Sequence, residues 1–207
     1  MSRAGASQRR GEELRRHILF EAKEVFLETG YERASMDTVA ARAGTSKRSL
    51  YAHFESKDKL FLAVLDLARE LHLDTLKTPD AYAEDPAEAV ALYCGRFLQL
   101  MLWDRQLATC RLSITAAERL PGSARAYFDA AFVGPRERLA AHLAGHFGMD
   151  GPRSTSAAQD LIDRTVLPRL FRTLFAAEEP FPDKPAEETL AEDVDLDAIR
   201  RVVSAVL

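Results

Sequence analysis

Cysteine is nearly missing from this chain, with only Cys94 and Cys110 among 207 residues. Two thiols give no disulfide framework and suit a reducing compartment. Also missing is any apolar run of about 18 residues, the least that crosses a bilayer as a helix. The opening stretch MSRAGASQRRGEELRR has no apolar core of the kind a secretion signal needs. A soluble, cytoplasmic protein with no membrane partner is expected. No segment alternates apolar and polar residues with the period of two that marks a half-buried strand. A glycine-rich phosphate loop, a pair of catalytic carboxylates, a full set of metal ligands and a nucleophile beside a base are all lacking, so neither an enzyme nor a cofactor is expected.

What the chain has is length and uneven charge. With 207 residues there is material for a small head and a larger second domain. The net charge is -4, yet residues 1–60 hold 12 Lys and Arg against 9 Asp and Glu, a net +3, leaving -7 for the remainder. Asymmetry of this kind is the footprint of a basic part that meets a polyanion. Ahead of the first helix, residues 1–11 read as a flexible basic tail. With Arg15 and Arg16 just beyond it, Arg3, Arg9 and Arg10 form either a solvated tail or an arm that touches DNA.

The basic part contains SMDTVAARAGTSKRSLYAHFESK, residues 35–57. Ser35 is a good N-cap, Asp37 favours the positive end of a helix, and Val39, Ala40 and Ala43 make a small apolar face. Gly44 supplies a stop and Ser46 a second cap. Leu50 and Phe54, four apart, face inward, which leaves Lys47, Arg48, Tyr51 and His53 on the outer side. A short helix of that design fits a major groove of about 12 Å. Upstream, Leu14, Ile18, Ala22, Val25 and Phe26 form one face of a helix over 12–29 that ends at Gly30. Downstream, Ser56 caps a helix through Leu60, Val64, Leu67 and Leu71.

From about Glu12 to Leu65 the chain resembles the DNA-binding domain of the TetR family of bacterial transcriptional regulators. The resemblance rests on AKEVFLETGYERASMDTVAARAG, on the turn GTSKRSLYAHF and on SKDKLF at the start of the fourth helix. It implies an all-α fold, in which an N-terminal three-helix helix-turn-helix domain, 12–57, is joined through a fourth helix to a larger helical ligand-binding and dimerisation domain, 58–207. By the same resemblance Thr45, Ser46, Lys47, Arg48 and Ser49 touch base edges and nearby phosphates, while Ser35, Tyr51, His53 and Lys57 touch phosphates. Arg48 stands where the family often has glycine. It either reads guanine O6 and N7 with two parallel bonds or contacts a phosphate. Asp37 is unexpected near phosphates and is read as a partner of the helix dipole.

Helical patterns follow at 86–102, 105–119 and on to about Phe147, with a kink at Gly134 and Pro135. Another spans 154–177 and is split at Pro168; 178–195 reads as a loop and 196–206 as a terminal helix. The family resemblance implies that this part binds a small effector and carries a homodimer interface. Leu161, Val166, Leu170 and Leu174 with Ile199, Val202, Val203 and Val206 are the interface candidates. Tyr93, Phe97, Met101, Phe128, Phe132, Phe171 and Phe175, with Trp103, are the candidates for a pocket that suits an apolar or aromatic effector, although each of them also suits plain core packing. His142 and His146 have the spacing for one metal ion but no further ligand nearby, so a packed or exposed pair is expected and no metal. Cys94 and Cys110 read as buried thiols rather than a redox switch. Arg96, Arg111, Glu118 and Arg119 either orient a charged effector or are solvated.

The expected function is that of a homodimeric repressor of a pseudo-palindromic double-stranded operator, released by a small effector. An activator or co-repressor-dependent regulator is the alternative within regulators. A helical carrier or enzyme with a look-alike head is the alternative outside them.

Overall fold

The computed structural model describes residues 3–73 and 75–207, with side chains at 10–68, 70–71 and 75–207. Apart from one isolated bridge between Trp103 and Phe181, no β-structure occurs among the described residues. The all-α expectation holds. The chain divides into two compact units, Met1–Glu70 with Leu112–Tyr127, and Leu71–Arg111 with Phe128–Leu207. These bounds differ from the sequence division at residue 57. Residues 112–127 belong with the head, a long-range grouping that no local pattern announces.

In the first unit, helix α1 (Arg3–Arg33) begins nine residues earlier than the sequence predicts, and the stretch read as a flexible tail continues it. Ala4, Ala6, Gln8, Arg9 and Arg10 are strong helix formers and outnumber Gly5 and Gly11, which oppose them. The side chains of Arg3 and Arg9 lie outside the described residues. Those of Arg10, Arg15 and Arg16 are exposed. Gly30 breaks the helical path, with φ 77 and ψ 163, where the sequence places the stop. Helices α2 (Met36–Arg42), α3 (Lys47–His53) and α4 (Lys57–Leu73) follow.

Ile18, Ala22, Val25 and Phe26 of α1, Val39 and Ala40 of α2, Leu50 of α3 and Leu60, Phe61 and Val64 of α4 form the core of the head. Phe61 stands edge-on to Phe26 at 5.1 Å and to Tyr31 at 4.9 Å. Arg42 fastens α2 to α1 through Glu21 at 3.1 Å and Glu28 at 2.6 Å. Arg119, from the later part of this unit, lies over the Tyr31 ring.

The second unit is built on α5 (Pro86–Met101), capped by Asp85, whose carboxylate accepts from the Glu88 amide at 2.8 Å. Along the chain come α6 (Asp104–Thr115) and α7 (Pro121–Phe128), whose stretch 112–127 belongs to the first unit, and then a π-turn over Asp129–Val133 and α8 (Gly134–Phe147) of the second. Helices α9 (Gly151–Thr165) and α10 (Leu167–Leu174) are separated at Val166, one turn of chain from Pro168, as the sequence predicts. Short α11 (Leu190–Asp193) and terminal α12 (Leu196–Val206) complete it.

Helix α5 is buried on nearly every side and packs on α9 and α12. A Cβ at Gly95 would come within 2.7 Å of the Leu196 side chain, so this glycine lets α12 approach closely. The stretch 178–195, read from sequence as a loop, holds α11 and a 3₁₀ turn over Glu187–Thr189. Buried Gln99 organises it by donating to Thr189 Oγ1 at 2.9 Å and Asp193 Oδ2 at 2.6 Å. Among the described residues no helix is long and apolar enough to cross a membrane.

Candidate nucleic-acid interface

Local chemistry builds the helix-turn-helix. Ser35 Oγ accepts from the Thr38 amide at 3.1 Å and caps α2. At the other end Gly44 takes φ 59. The Thr45 amide returns to the Ala40 carbonyl and the Gly44 amide to that of Ala41, closing the end of α2 with two bonds. Ser46 Oγ then accepts from the Ser49 amide at 3.1 Å and starts α3. Leu50 and Phe54 are buried beneath it, with Arg15 of α1 over the Phe54 ring.

The opposite face of α3 carries Ser46, Lys47, Arg48 and Tyr51, all exposed, flanked by half-buried Thr45, Ser49 and His53. Exposed Arg48 has no hydrogen-bond or ion-pair partner among the described residues. Its guanidinium is free to form a bidentate contact. All but one of the side chains that the resemblance points to thus lie exposed or half-buried on α3 and the turn before it, or, for Ser35, exposed at the start of α2.

Lys57 is the exception. Its ammonium donates to the carbonyls of Tyr31 at 2.9 Å, Glu32 at 3.2 Å and Ala34 at 3.2 Å, and lies 4.4 Å from the centre of the Tyr31 ring. All three of its protons are engaged there, and Lys57 helps to close the end of α1. Beside it the Tyr31 hydroxyl donates to Asp58; burial first, and then this bond to a carboxylate, push the phenol up to about 12.

Asp37 also departs from expectation. It is in the first turn of α2, but its carboxylate pairs with Lys47 at 2.7 Å. The hydrogen bond and the charge of Asp37 raise the pKa of Lys47 above the ordinary lysine value. An exposed pair of this kind is weak and yields to a better anion. Ten residues separate the two, and no periodicity signals the contact.

This geometry has relatives. The family model described as bacterial regulatory proteins, tetR family, matches residues 18–64. Residues 18–64 therefore carry the DNA-binding domain of that family. The HTH-type transcriptional activator FasR of Mycolicibacterium smegmatis is 46% identical over 79 residues, 36% of this chain and 34% of FasR. The chain spans about a third to a little over half of the length of curated relatives it matches. A protein of Mesorhizobium loti classed with TetR-family regulators shares the fold over 96% of both chains, with TM-score 0.77 and 22% identity. The flavonoid-responsive regulator FrrA shares the fold over 94% of this chain and 97% of its own, with TM-score 0.70 and 22% identity. The family is one of regulators, not enzymes.

In the second unit the aromatic candidates separate. Tyr93, Phe97 and Met101 are fully buried on α5, and the Tyr93 hydroxyl donates to the Pro135 carbonyl at 2.8 Å. Phe132 bridges outward, 6.4 Å from Phe97 and 5.2 Å from exposed Phe128. Phe171 and Phe175 stand apart on α10 and just after it, 52% and 82% exposed. The same helical spacing serves a buried stripe and an exposed one.

The interface candidates are corrected in the opposite sense. Leu161, Leu170, Ile199 and Val203 are buried inside this chain, as is Val166, while Leu174, Val202 and Val206 are half-buried. A groove of about 310 Å³ is lined by Tyr82, Leu92, Arg96, Glu187, Leu190 and Leu196. Buried Arg96 donates to Gln99 Oε1 and the Pro185 carbonyl, and its Nε has no partner among the described residues. Cys94 and Cys110 are buried and form no disulfide, and burial pushes the Cys94 thiol up to about 12, away from the thiolate that reacts.

Proposed function

We propose that this chain is a homodimeric, sequence-specific repressor of the TetR family that occupies a pseudo-palindromic double-stranded DNA operator and leaves it when a small effector binds. The observation that carries the reading is the exposed donor face of α3 above buried Leu50 and Phe54. Thr45, Ser46, Lys47 and Ser49 approach base edges and nearby phosphates, and Ser35, Tyr51 and His53 approach phosphates. Arg48 reads a guanine through O6 and N7. Lys57 is left out of this set.

The dimer forms through Phe171 and Phe175 with half-buried Leu167, Leu174, Val202 and Val206. A fully buried ring covers about 150–250 Å², and the exposed parts of these two, 52% and 82%, leave roughly a third of the 800 Å² per partner that a stable interface needs. Two copies of α3 then reach successive major grooves about 34–36 Å apart. The effector acts by binding the conformation that does not fit DNA better than the one that does, and only that difference lowers occupancy. An apolar or aromatic effector at Phe97, Phe128 and Phe132 is the first reading. An effector with an anionic end is the second, favoured by the buried Arg96 guanidinium at its groove.

The test is a gel shift on the DNA upstream of the chain's own gene, across salt concentrations. Specific retardation that falls steeply with salt is expected. Arg48→Ala should relax preference at one base pair by about 1–3 kcal/mol, and Asp37→Asn should tighten binding by releasing Lys47 to the phosphates. Equal binding to operator and random DNA, unaltered by either change, would falsify the reading. FasR is named an activator, which favours activation as the runner-up. Reporter output after deletion of the gene separates the two, rising for a repressor and falling for an activator.

A further inference from the structure

Asp80 and the two histidines of α8 meet in the second unit. Asp80 belongs to a 3₁₀ turn over Pro79–Ala81, and His142 and His146 project from successive turns of α8. Asp80 Oδ1 is 3.0 Å from His142 Nδ1 and 2.8 Å from His146 Nε2. One donor atom from each residue lies within 4.8 Å of the other two. The imidazole centres are 4.4 Å apart.

The second nitrogen of His142 decides how this cluster reads. Nε2 lies 3.2 Å from the carbonyl oxygen of Pro86, an atom that only accepts. A neutral imidazole has a single N–H. Given to Pro86, it leaves the Nδ1 lone pair facing a carboxylate oxygen. Given to Asp80, it leaves the Nε2 lone pair facing a carbonyl. The His142 side chain is 1% exposed, so water relieves neither arrangement. A cation on the Nδ1 side satisfies both contacts, either as a second proton or as a metal ion. The metal ion also takes in His146, whose Nε2 is aimed at the same oxygen, and it leaves His142 neutral. An N–H held by a backbone carbonyl while the other nitrogen faces the ion is the arrangement that orients metal-binding histidines.

We propose that Asp80, His142 and His146 bind one divalent transition-metal ion of the zinc, cobalt or nickel class. Two imidazoles and one carboxylate suit those ions, whereas magnesium and calcium need a shell of oxygens. Bond lengths of about 2.0–2.2 Å place neighbouring tetrahedral donors about 3.3 Å apart. The cluster must therefore open by a few tenths of an ångström. Asp80 and His146 are free to move that far, their side chains being 57% and 43% exposed. A fourth position is left for water. The ion would fasten the turn after α4 to α8. Sequence spacing finds two of these ligands and misses the third, because Asp80 is 62 positions from His142. The site does not depend on the DNA-binding reading.

The full chain, free of any affinity tag, is titrated with Co²⁺ at neutral pH and followed by visible absorption. One equivalent should bind with the d–d bands of a four-coordinate nitrogen and oxygen site, and Zn²⁺ should displace it. His146→Ala and Asp80→Asn, at positions exposed enough to leave folding intact, should each weaken binding by at least about 10–100-fold. Zn²⁺ should also raise the thermal midpoint of the native chain and leave that of His146→Ala unmoved. No stoichiometric uptake, or uptake unchanged in both variants, overturns the proposal and leaves a second proton as the cation on His142.

Discussion

Lys57 matches a family pattern and also has a place in the fold of the head. Its three carbonyl acceptors close the last turn of α1, where Gly30 has interrupted the helical bonding. Lys57→Met should therefore destabilise the head by about 1–3 kcal/mol, the cost of carbonyls left without a charged donor. Urea unfolding measures this directly. A variant with native stability whose DNA binding loses salt dependence would restore the phosphate role instead. Arg48, Tyr51 and Leu50 were legible in the sequence because their places follow from a single short helix. The Asp37–Lys47 pair was not, since it forms only when α2 and α3 fold across the turn.

At the scale of the element, α2 and α3 are set by capping chemistry written into the chain. Ser35, Gly44 and Ser46 each do what their residue type predicts. Gly44 isolates one such effect. A Cβ there meets nothing within 4 Å, so only the left-handed φ opposes a side chain. Gly44→Ala should cost about 1 kcal/mol through backbone conformation alone, visible as a lower thermal midpoint with unchanged helix content. A rise in stability would mean that the turn has relaxed to another geometry. Helix starts at Pro86 and Leu196 and the break before Pro168 were legible for the same local reasons. The early start of α1 and the helical turns at 187–193 were not. The latter depend on Gln99, nearly ninety positions away.

At the scale of the whole molecule, the proposed pairing rests on the exposed face of α10, whose other face sends Leu170 into the core. Phe175 is 82% exposed, so Phe175→Asp should leave the fold intact while placing a charge in the proposed interface. Sedimentation should then show monomer. Binding to a two-half-site operator should fall toward that of a half-site, because the second contact is no longer held at high effective concentration. A variant that remains dimeric would move the interface elsewhere. By itself the sequence determined the all-α class, the helix-turn-helix and the donor face of α3, because caps, stops and a 3.6-residue stripe act between near neighbours. Only the tertiary structure decided which apolar stripes face inward, that Lys57 and Lys47 already have partners, and that Asp80 joins the two histidines. Each of these depends on residues far apart in the chain meeting once it has folded.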